Sequence, residues 1–245
     1  MAALTFSITI ATAPANAFGA RDDALIDYPT FSGASKTLDR NGTADLITSS
    51  GRVHQRILRL SAGGFRQAGS AWDRQKLDVT DSFESTFKVY LHHGAPGADG
   101  IAFLVQSEGP RALGGWGGGL GYRGIKRSVA VEFDTFQNTP DPSSNHLAVV
   151  LGGNPDVHNT VAEPSIPLYG RPFLARVTYD ADTNDLRVYV QSLRAGAEEQ
   201  LALEDNVDLA RQINDTEAWV GFTAATGSAL SKQDIYSWSV QGFGA

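Results

Sequence analysis

The 245-residue chain contains no cysteine. This absence excludes a disulfide framework and any metal site built on thiolates. Charged residues make up only 19% of the sequence, and the formal net charge of −7 comes without a basic run. Because nucleic-acid binding depends on clustered Lys and Arg, this charge balance argues against nucleic acid as a partner.

Long apolar runs are also missing. The N-terminal run, residues 4–13, is too short to span a membrane, and no later segment is longer. It is followed by Ala15, Asn16 and Ala17, which resemble a small-residue cleavage site. We therefore predict a secretory leader over residues 1–17, a single domain over residues 18–245, and a secreted or cell-surface protein. An ordinary strand is the alternative, because positive residues do not precede the apolar run.

Short alternating segments and 26 glycines favour an all-β sandwich. Residues 82–92 are the clearest strand, since apolar side chains and polar ones alternate along them. Residues 198–209 are predicted as either a short helix or a charged loop. Further strands are predicted at residues 101–106, 173–179, 186–190, 218–223 and 235–240.

The most informative segment is residues 129–146, with the sequence VAVEFDTFQNTPDPSSNH. Glu132 and Asp134 are two residues apart in a β-branched run, so a strand places both carboxylates on one face. Adjacent carboxylates repel each other, and the repulsion is relieved by a shared proton or by a bound cation.

The residues after this strand favour the cation. Asn138, Asp141 and His146 follow on a loop that contains Pro140 and Pro142. Carboxylate, amide and backbone oxygens suit Ca²⁺, whereas carboxylates with one imidazole suit a transition ion such as Mn²⁺. The cluster supplies both ligand sets if Asp134 and Asp141 bridge two ions.

Several segments in order resemble the legume-type (L-type) lectins, and we interpret the chain as a bacterial member of that family. The resemblance runs through LITSSGRVHQRILRLS, DGIAFLV, GGGLGY, VAVEFDTFQNTPDPSSNH, VTYDADTNDLRVYV, WVGFTAATG and IYSWSV. The resemblance implies a jelly-roll sandwich with a flat back sheet, a curved front sheet and a non-catalytic sugar site on loops above the front sheet. It also implies glycans or glycoconjugates as partners and homo-oligomers through the back sheet.

The resemblance implies a paired metal site. The transition ion, Mn²⁺ or another, would be held by Glu132, Asp134, Asp141 and His146. The Ca²⁺ ion would be held by Asp134, the backbone oxygen of Phe136, Asn138 and Asp141.

The resemblance also implies the sugar contacts. Asp99, after a cis Ala98–Asp99 peptide, would accept from sugar hydroxyls, while Gly118 and Asn138 would donate to the sugar; Gly117 and Gly119 are close rivals for Gly118. Phe136 would stack on the sugar ring. Ser228 and Ala229 would contact the sugar from the short loop after ATG. Trp116 has no clear counterpart in the family and is either a second stacking platform or a packed residue.

Two other functions compete with the lectin hypothesis. A glycoside hydrolase on a similar jelly roll would use E-x-D-x-x-E, but the third acidic position is Gln137. Retaining hydrolysis needs two carboxyl groups, so this reading ranks below the lectin. A metal-stabilised adhesion module without sugar binding is the other alternative. The pair His92-His93 is interpreted as a strand end, and His54 and His158 as ordinary surface residues.

Overall fold

The computed structural model describes residues 20–50 and 54–243, so the predicted leader over residues 1–17 lies outside the described chain. The described residues form sixteen strands, one short α-helix and two turns of 3-10 helix. The strands are β1 (Ala20–Tyr28), β2 (Leu38–Gly42), β3 (Asp45–Thr48), β4 (Arg56–Ala62), β5 (Ala68–Asp73), β6 (Leu77–Asp78), β7 (Phe83–His92), β8 (Gly100–Gln106), β9 (Ser128–Asp134), β10 (His146–Leu151), β11 (Thr160–Ala162), β12 (Phe173–Asp180), β13 (Asp185–Ser192), β14 (Gln200–Asn206), β15 (Glu217–Ala225) and β16 (Lys232–Phe243). The helix α1 spans Leu209–Ile213, and the 3-10 turns span Ala34–Lys36 and Gly117–Gly119.

The strands form two eight-stranded sheets. The back sheet has the order β14-β13-β12-β7-β16-β4-β3, and β1 also pairs with β16. The front sheet has the order β11-β10-β9-β8-β15-β5-β2, and β6 also pairs with β15. Neighbouring strands are antiparallel in both sheets. The predicted all-β sandwich is therefore confirmed.

Burial differs between the two sheets, as their sequences indicate. Along β7, buried residues alternate with half-buried ones, because one face packs on the core and the other faces outward. By contrast, β8 and β9 are buried at every position. Val131 and Phe133 of β9 enter the main core between the sheets, whereas Ala130 belongs to a second buried cluster.

The second cluster exists because a glycine-rich segment, residues 109–125, covers the outer face of the front sheet. Leu120, Tyr122 and Ile125 of this segment pack on that face. The segment is closed by the bond from the Gly114 amide to the Gly121 carbonyl, at 2.7 Å. Because this segment covers the sheet, the Glu132 and Asp134 side chains on the outer face of β9 are buried as well.

One predicted element is wrong. Residues 198–209 were expected to form a helix or a charged loop, but β14 occupies most of them and pairs with β13. Because β14 ends the back sheet, most of its side chains are exposed and its sequence carries little apolar alternation. The helix α1 begins only at Leu209, where the Asp208 carboxylate accepts a bond from the Arg211 amide.

Candidate functional site

Three neighbouring strands of the front sheet bring the predicted site together at one end. Asp134 is the last residue of β9 and lies opposite His146, the first residue of β10. It also lies opposite Gly100, the first residue of β8, so that Asp99 is adjacent on the other side. The strand register therefore places Asp99, Asp134 and His146 side by side at the same end of the three strands.

Asp99 is held by its backbone and keeps part of its carboxylate free. The Ala98–Asp99 peptide is cis, as the resemblance implies. The Asp99 amide donates to the Ala225 carbonyl at 3.0 Å, and the Asp99 carbonyl accepts from the Thr135 amide at 2.8 Å. The side chain is 4% exposed, and its Oδ2 atom has no hydrogen-bond partner in the described chain. Burial raises the pKa of Asp99 to about 7, and the Gly227 amide partly opposes that rise.

Glu132 and Asp134 share one face of β9, as predicted; this is the outer face of the front sheet, and both residues are buried. The Tyr122 hydroxyl donates to the Glu132 carboxylate. Burial raises the pKa of Glu132 to about 8, and the nearby Asp141 adds to the rise. Burial also raises the pKa of Asp134 well above its usual range, with Glu132 as the next cause. A bound cation would allow both groups to ionise.

The loop after β9 is folded around its own acidic side chains. The Phe136 amide donates to Asp134 Oδ1 at 2.7 Å. The Asn138 amide donates to Asp141 Oδ2 at 2.6 Å, and the Asp141 amide returns a bond to the Asn138 carbonyl at 2.9 Å. These bonds keep Phe136, Asn138 and Asp141 close to the end of β9.

His146 is arranged as a metal ligand would be. Its Nδ1 atom lies 2.8 Å from the Ser143 carbonyl, which can only accept, so Nδ1 carries the proton. Its Nε2 atom is buried without a hydrogen-bond partner in the described chain and lies 3.7 Å from Asp141 Oδ1. Burial lowers the pKa of His146 and favours the neutral imidazole that metals bind. Metal-binding histidines commonly donate their other ring N–H to a carbonyl in this way.

The donor set fits a cation. Ligand atoms of Asp134, Asp141 and His146 lie within 4.8 Å of one another. Two carboxylates, an imidazole nitrogen without a partner and a neighbouring amide side chain are the ligand types that suit Ca²⁺ and a transition ion.

The glycine-rich segment forms the opposite wall of the site. A Cβ added to Gly118 would lie 2.6 Å from Asn138 Oδ1, so these two residues are in direct contact. The corresponding positions at Gly117 and Gly119 face Gly227 and Arg123 instead. Of the three rival glycines, Gly118 is therefore the one placed against Asn138. A cavity of about 290 Å³ lies between this wall and the loop after β9 and is lined by Gly118, Glu132, Asp134 and Asn138, among others.

The remaining predicted sugar contacts lie around this wall. Phe136 is half-buried and belongs to neither core cluster, so core packing does not explain it. Ser228 is exposed and Ala229 half-buried in the loop after β15. The same loop brings Gly227 near Asp99, since a Cβ added there would lie 3.6 Å from Asp99 Oδ2.

Trp116 is not a packed residue. Its side chain is 50% exposed, and the Arg66 guanidinium lies 4.4 Å from the centre of its ring. The next residue, Gly117, donates its amide to the Thr226 carbonyl at 3.1 Å. Trp116 therefore stands at the rim where the glycine-rich segment meets the loop after β15.

His158 also lies beside the acidic cluster, which its sequence context does not indicate. It was predicted to be an ordinary surface residue, but its side chain is only 8% exposed, and Nε2 lies 3.5 Å from Asp141 Oδ1. Ligand atoms of Glu132, His146 and His158 lie within 4.8 Å of one another. In the sequence, His158 is recognisable only as a histidine twelve residues after His146. No single strand or helix contains both residues, so this spacing does not predict that they lie close together.

Two further expectations are resolved by contacts. His92 ends β7, as predicted, and its Nε2 atom lies 2.9 Å from the buried Asp234 carboxylate, which also binds Arg59. Gln137 is exposed, and its side-chain amide donates to the carbonyls of Asp141 and Pro142. The third position of the hydrolase motif thus supplies an amide that supports the loop after β9.

Comparison with known proteins matches this chain to lectins, as the resemblance in its sequence implies. A family model described as the legume lectin beta-barrel domain matches residues 30–239. A lectin from Lathyrus sphaericus is 33% identical over 177 residues, which cover 69% of this chain and 70% of the relative. The basic agglutinin of Psophocarpus tetragonolobus is 34% identical over 187 residues, which cover 69% and 72% of the two chains.

Solved structures agree with the sequence relatives. The crystal structure of basic winged bean lectin with Tn-antigen is 26% identical, with a TM-score of 0.70. The match covers 86% of this chain and 94% of the winged bean chain. The arrangement of two antiparallel sheets is therefore shared with these proteins.

Proposed function

Because the chain belongs to the legume lectin β-barrel domain family, and is therefore a non-catalytic carbohydrate-binding lectin, we propose that it binds glycans at Asp99, Gly118 and Asn138. The main observation in support is the buried Asp99 carboxylate, whose Oδ2 atom has no hydrogen-bond partner in the described chain. A buried acceptor without a partner is costly, and sugar hydroxyl groups would supply the missing donors.

Each contact has a distinct chemical role. Asp99 accepts from sugar hydroxyl groups in charge-assisted hydrogen bonds, which are stronger than neutral ones. The Asn138 side-chain amide and the Gly118 N–H donate to sugar oxygens. Phe136 covers the apolar face of the ring. Ser228 and Ala229 border the sugar on the loop beside Asp99.

The loop after β9, residues 135–145, organises these contacts and is called the metal-binding loop. We propose that Glu132, Asp134, Asp141 and His146 hold a transition ion such as Mn²⁺. In the same proposal Asp134, the Phe136 carbonyl, Asn138 and Asp141 hold Ca²⁺. Bound ions supply fixed positive charge beside carboxylates that burial would otherwise keep protonated. The loop then presents Asn138 in one orientation, and such preorganisation raises affinity.

The site opens at the rim of a sheet, so single sugars are expected to bind weakly and multivalent presentation to raise the apparent affinity. Pairing through the back sheet would provide such multivalency and stays a prediction. Secretion, cell-surface display and a bacterial origin also stay predictions; the relatives named above are plant proteins. Within the described residues, no helix is long and apolar enough to cross a membrane.

A glycan array tests the site assignment. The wild-type protein, Asp99→Ala and Asn138→Asp are compared in Ca²⁺ and Mn²⁺, with Asp182→Ala in the β12–β13 turn as a matched control. We expect the two site variants to lose binding to the glycans that the wild type and Asp182→Ala retain. Unchanged binding in both site variants would refute the assignment.

A further inference from the structure

We propose that His158 is an additional ligand of the transition ion, and that with His146 it favours an ion such as Zn²⁺ over Mn²⁺. The inference rests on the proposed metal site and adds a residue outside its predicted ligand set. The main support for it is the position of the His158 Nε2 atom.

The His158 Nε2 atom points into the acidic cluster. It lies 3.5 Å from Asp141 Oδ1 and 3.8 Å from Glu132 Oε2. The atom is buried and has no hydrogen-bond partner in the described chain, and the same is true of His146 Nε2. Two imidazole nitrogens without partners therefore face the same carboxylates.

These distances suit a shared ion better than direct hydrogen bonds. A nitrogen–oxygen hydrogen bond spans about 2.7–3.2 Å, which is shorter than the contacts of His158. Donors bound at about 2.0–2.1 Å around one ion lie about 3.3–3.4 Å from each other in the tetrahedral arrangement typical of Zn²⁺. The separations of 3.5, 3.7 and 3.8 Å among Asp141, Glu132 and the two histidines exceed that spacing by a few tenths of an ångström. A small inward movement would complete the coordination.

The loop that carries His158 is fixed on both sides. Before it, Asp156 forms two bonds with the Arg123 guanidinium, at 2.5 and 2.8 Å. After it, the Asn159 amide donates to the Val149 carbonyl at 2.8 Å. The Gly124 amide donates to the Gly153 carbonyl at 2.9 Å, which ties the loop to the glycine-rich segment. His158 is thus held over the outer face of the front sheet.

A second imidazole changes which ion the site prefers. Carboxylate and water ligands suit Mn²⁺, whereas imidazole suits Zn²⁺ and other later transition ions. Most N/O sites bind Zn²⁺ more tightly than Mn²⁺ anyway, so the informative quantity is the ratio of the two affinities. His158 should increase that ratio.

Titration calorimetry with Zn²⁺ and with Mn²⁺ tests the proposal on wild type, His158→Ala and His146→Ala, with His54→Ala as the control. His54 is exposed and precedes β4 in the back sheet. We expect His158→Ala to weaken Zn²⁺ binding about tenfold or more and Mn²⁺ binding less, while His54→Ala matches the wild type. His146→Ala should weaken both.

Pulsed EPR of the Mn²⁺-loaded wild type provides a readout that does not depend on how the variants fold. We expect coupling to two imidazole nitrogens, and to one in His158→Ala. A single coupled imidazole in the wild type, or unchanged Zn²⁺ affinity in His158→Ala, would overturn the role of His158 alone. A wild type that binds neither ion would overturn the proposed metal site as well.

Discussion

At the scale of single residues, the site depends on one contact between a glycine and an amide. Gly118 lies so close to Asn138 that a Cβ would approach the amide oxygen to 2.6 Å. Asn138 is proposed both to bind Ca²⁺ and to donate to the sugar. A side chain at position 118 would therefore disturb the two functions together.

Gly118→Ala should weaken sugar binding by about tenfold or more, because the new methyl group displaces the Asn138 amide from its hydrogen bonds. Calorimetry with a glycan identified on the array measures the change. Gly115→Ala is the matched control in the same segment, since its Cβ would come no closer than 3.5 Å to Arg123. Equal losses in the two variants would contradict a specific role for Gly118.

Residues within one continuous segment were the easiest to predict. Glu132, Asp134, Asn138, Asp141 and His146 belong to one strand and the loop that follows, so their spacing indicates their proximity. His158 enters from a separate loop whose path depends on packing against Arg123 and Val149. Such tertiary placement has no local pattern in the sequence.

At the scale of elements, the glycine-rich segment and β9 act together. The segment covers the outer face of the front sheet and buries Glu132, while Tyr122 within it supplies the hydrogen bond that the buried carboxylate requires. Alternation predicted β7 correctly because one of its faces is buried, and a β-branched run predicted β9, which is buried on both faces. Alternation missed β14 because an edge strand with exposed side chains carries little of that pattern.

Tyr122→Phe should weaken transition-ion binding by about tenfold, because Glu132 loses the hydroxyl that orients it. Calorimetry with Mn²⁺ measures the effect, with Tyr236→Phe in β16 as the control. The expected loss should leave the fold intact, which circular dichroism checks. An unchanged Mn²⁺ affinity would show that the hydroxyl does not orient the ligand.

At the scale of the whole molecule, the buried carboxyl groups of the proposed sugar and metal sites are a source of instability when no ions are bound. Burial raises the pKa of Asp99 to about 7 and that of Glu132 to about 8, and it raises the pKa of Asp134 well above its usual range. In the unfolded chain these groups ionise near pH 4. Between pH 4 and 8 the folded state therefore binds more protons than the unfolded state, and its stability falls as the pH rises.

The melting temperature of the EDTA-treated protein should fall by on the order of 5–10 °C between pH 5 and pH 8. His146, whose pKa is lowered, acts in the opposite direction, but three raised carboxyl groups outweigh it. Added Ca²⁺ and Mn²⁺ should reverse the fall at pH 8. Differential scanning calorimetry measures both changes, and a metal-free protein that is more stable at pH 8 would contradict the account.

The most direct test of the metal-organised sugar site is equilibrium binding of one array-identified glycan to the wild-type protein. Binding is measured with Ca²⁺ and Mn²⁺ present, after EDTA treatment, and after both ions are restored. We expect EDTA to weaken binding at least about tenfold and the restored ions to recover it. Equal affinity before and after EDTA would contradict the claim that bound ions organise the contacts at Asp99, Gly118 and Asn138.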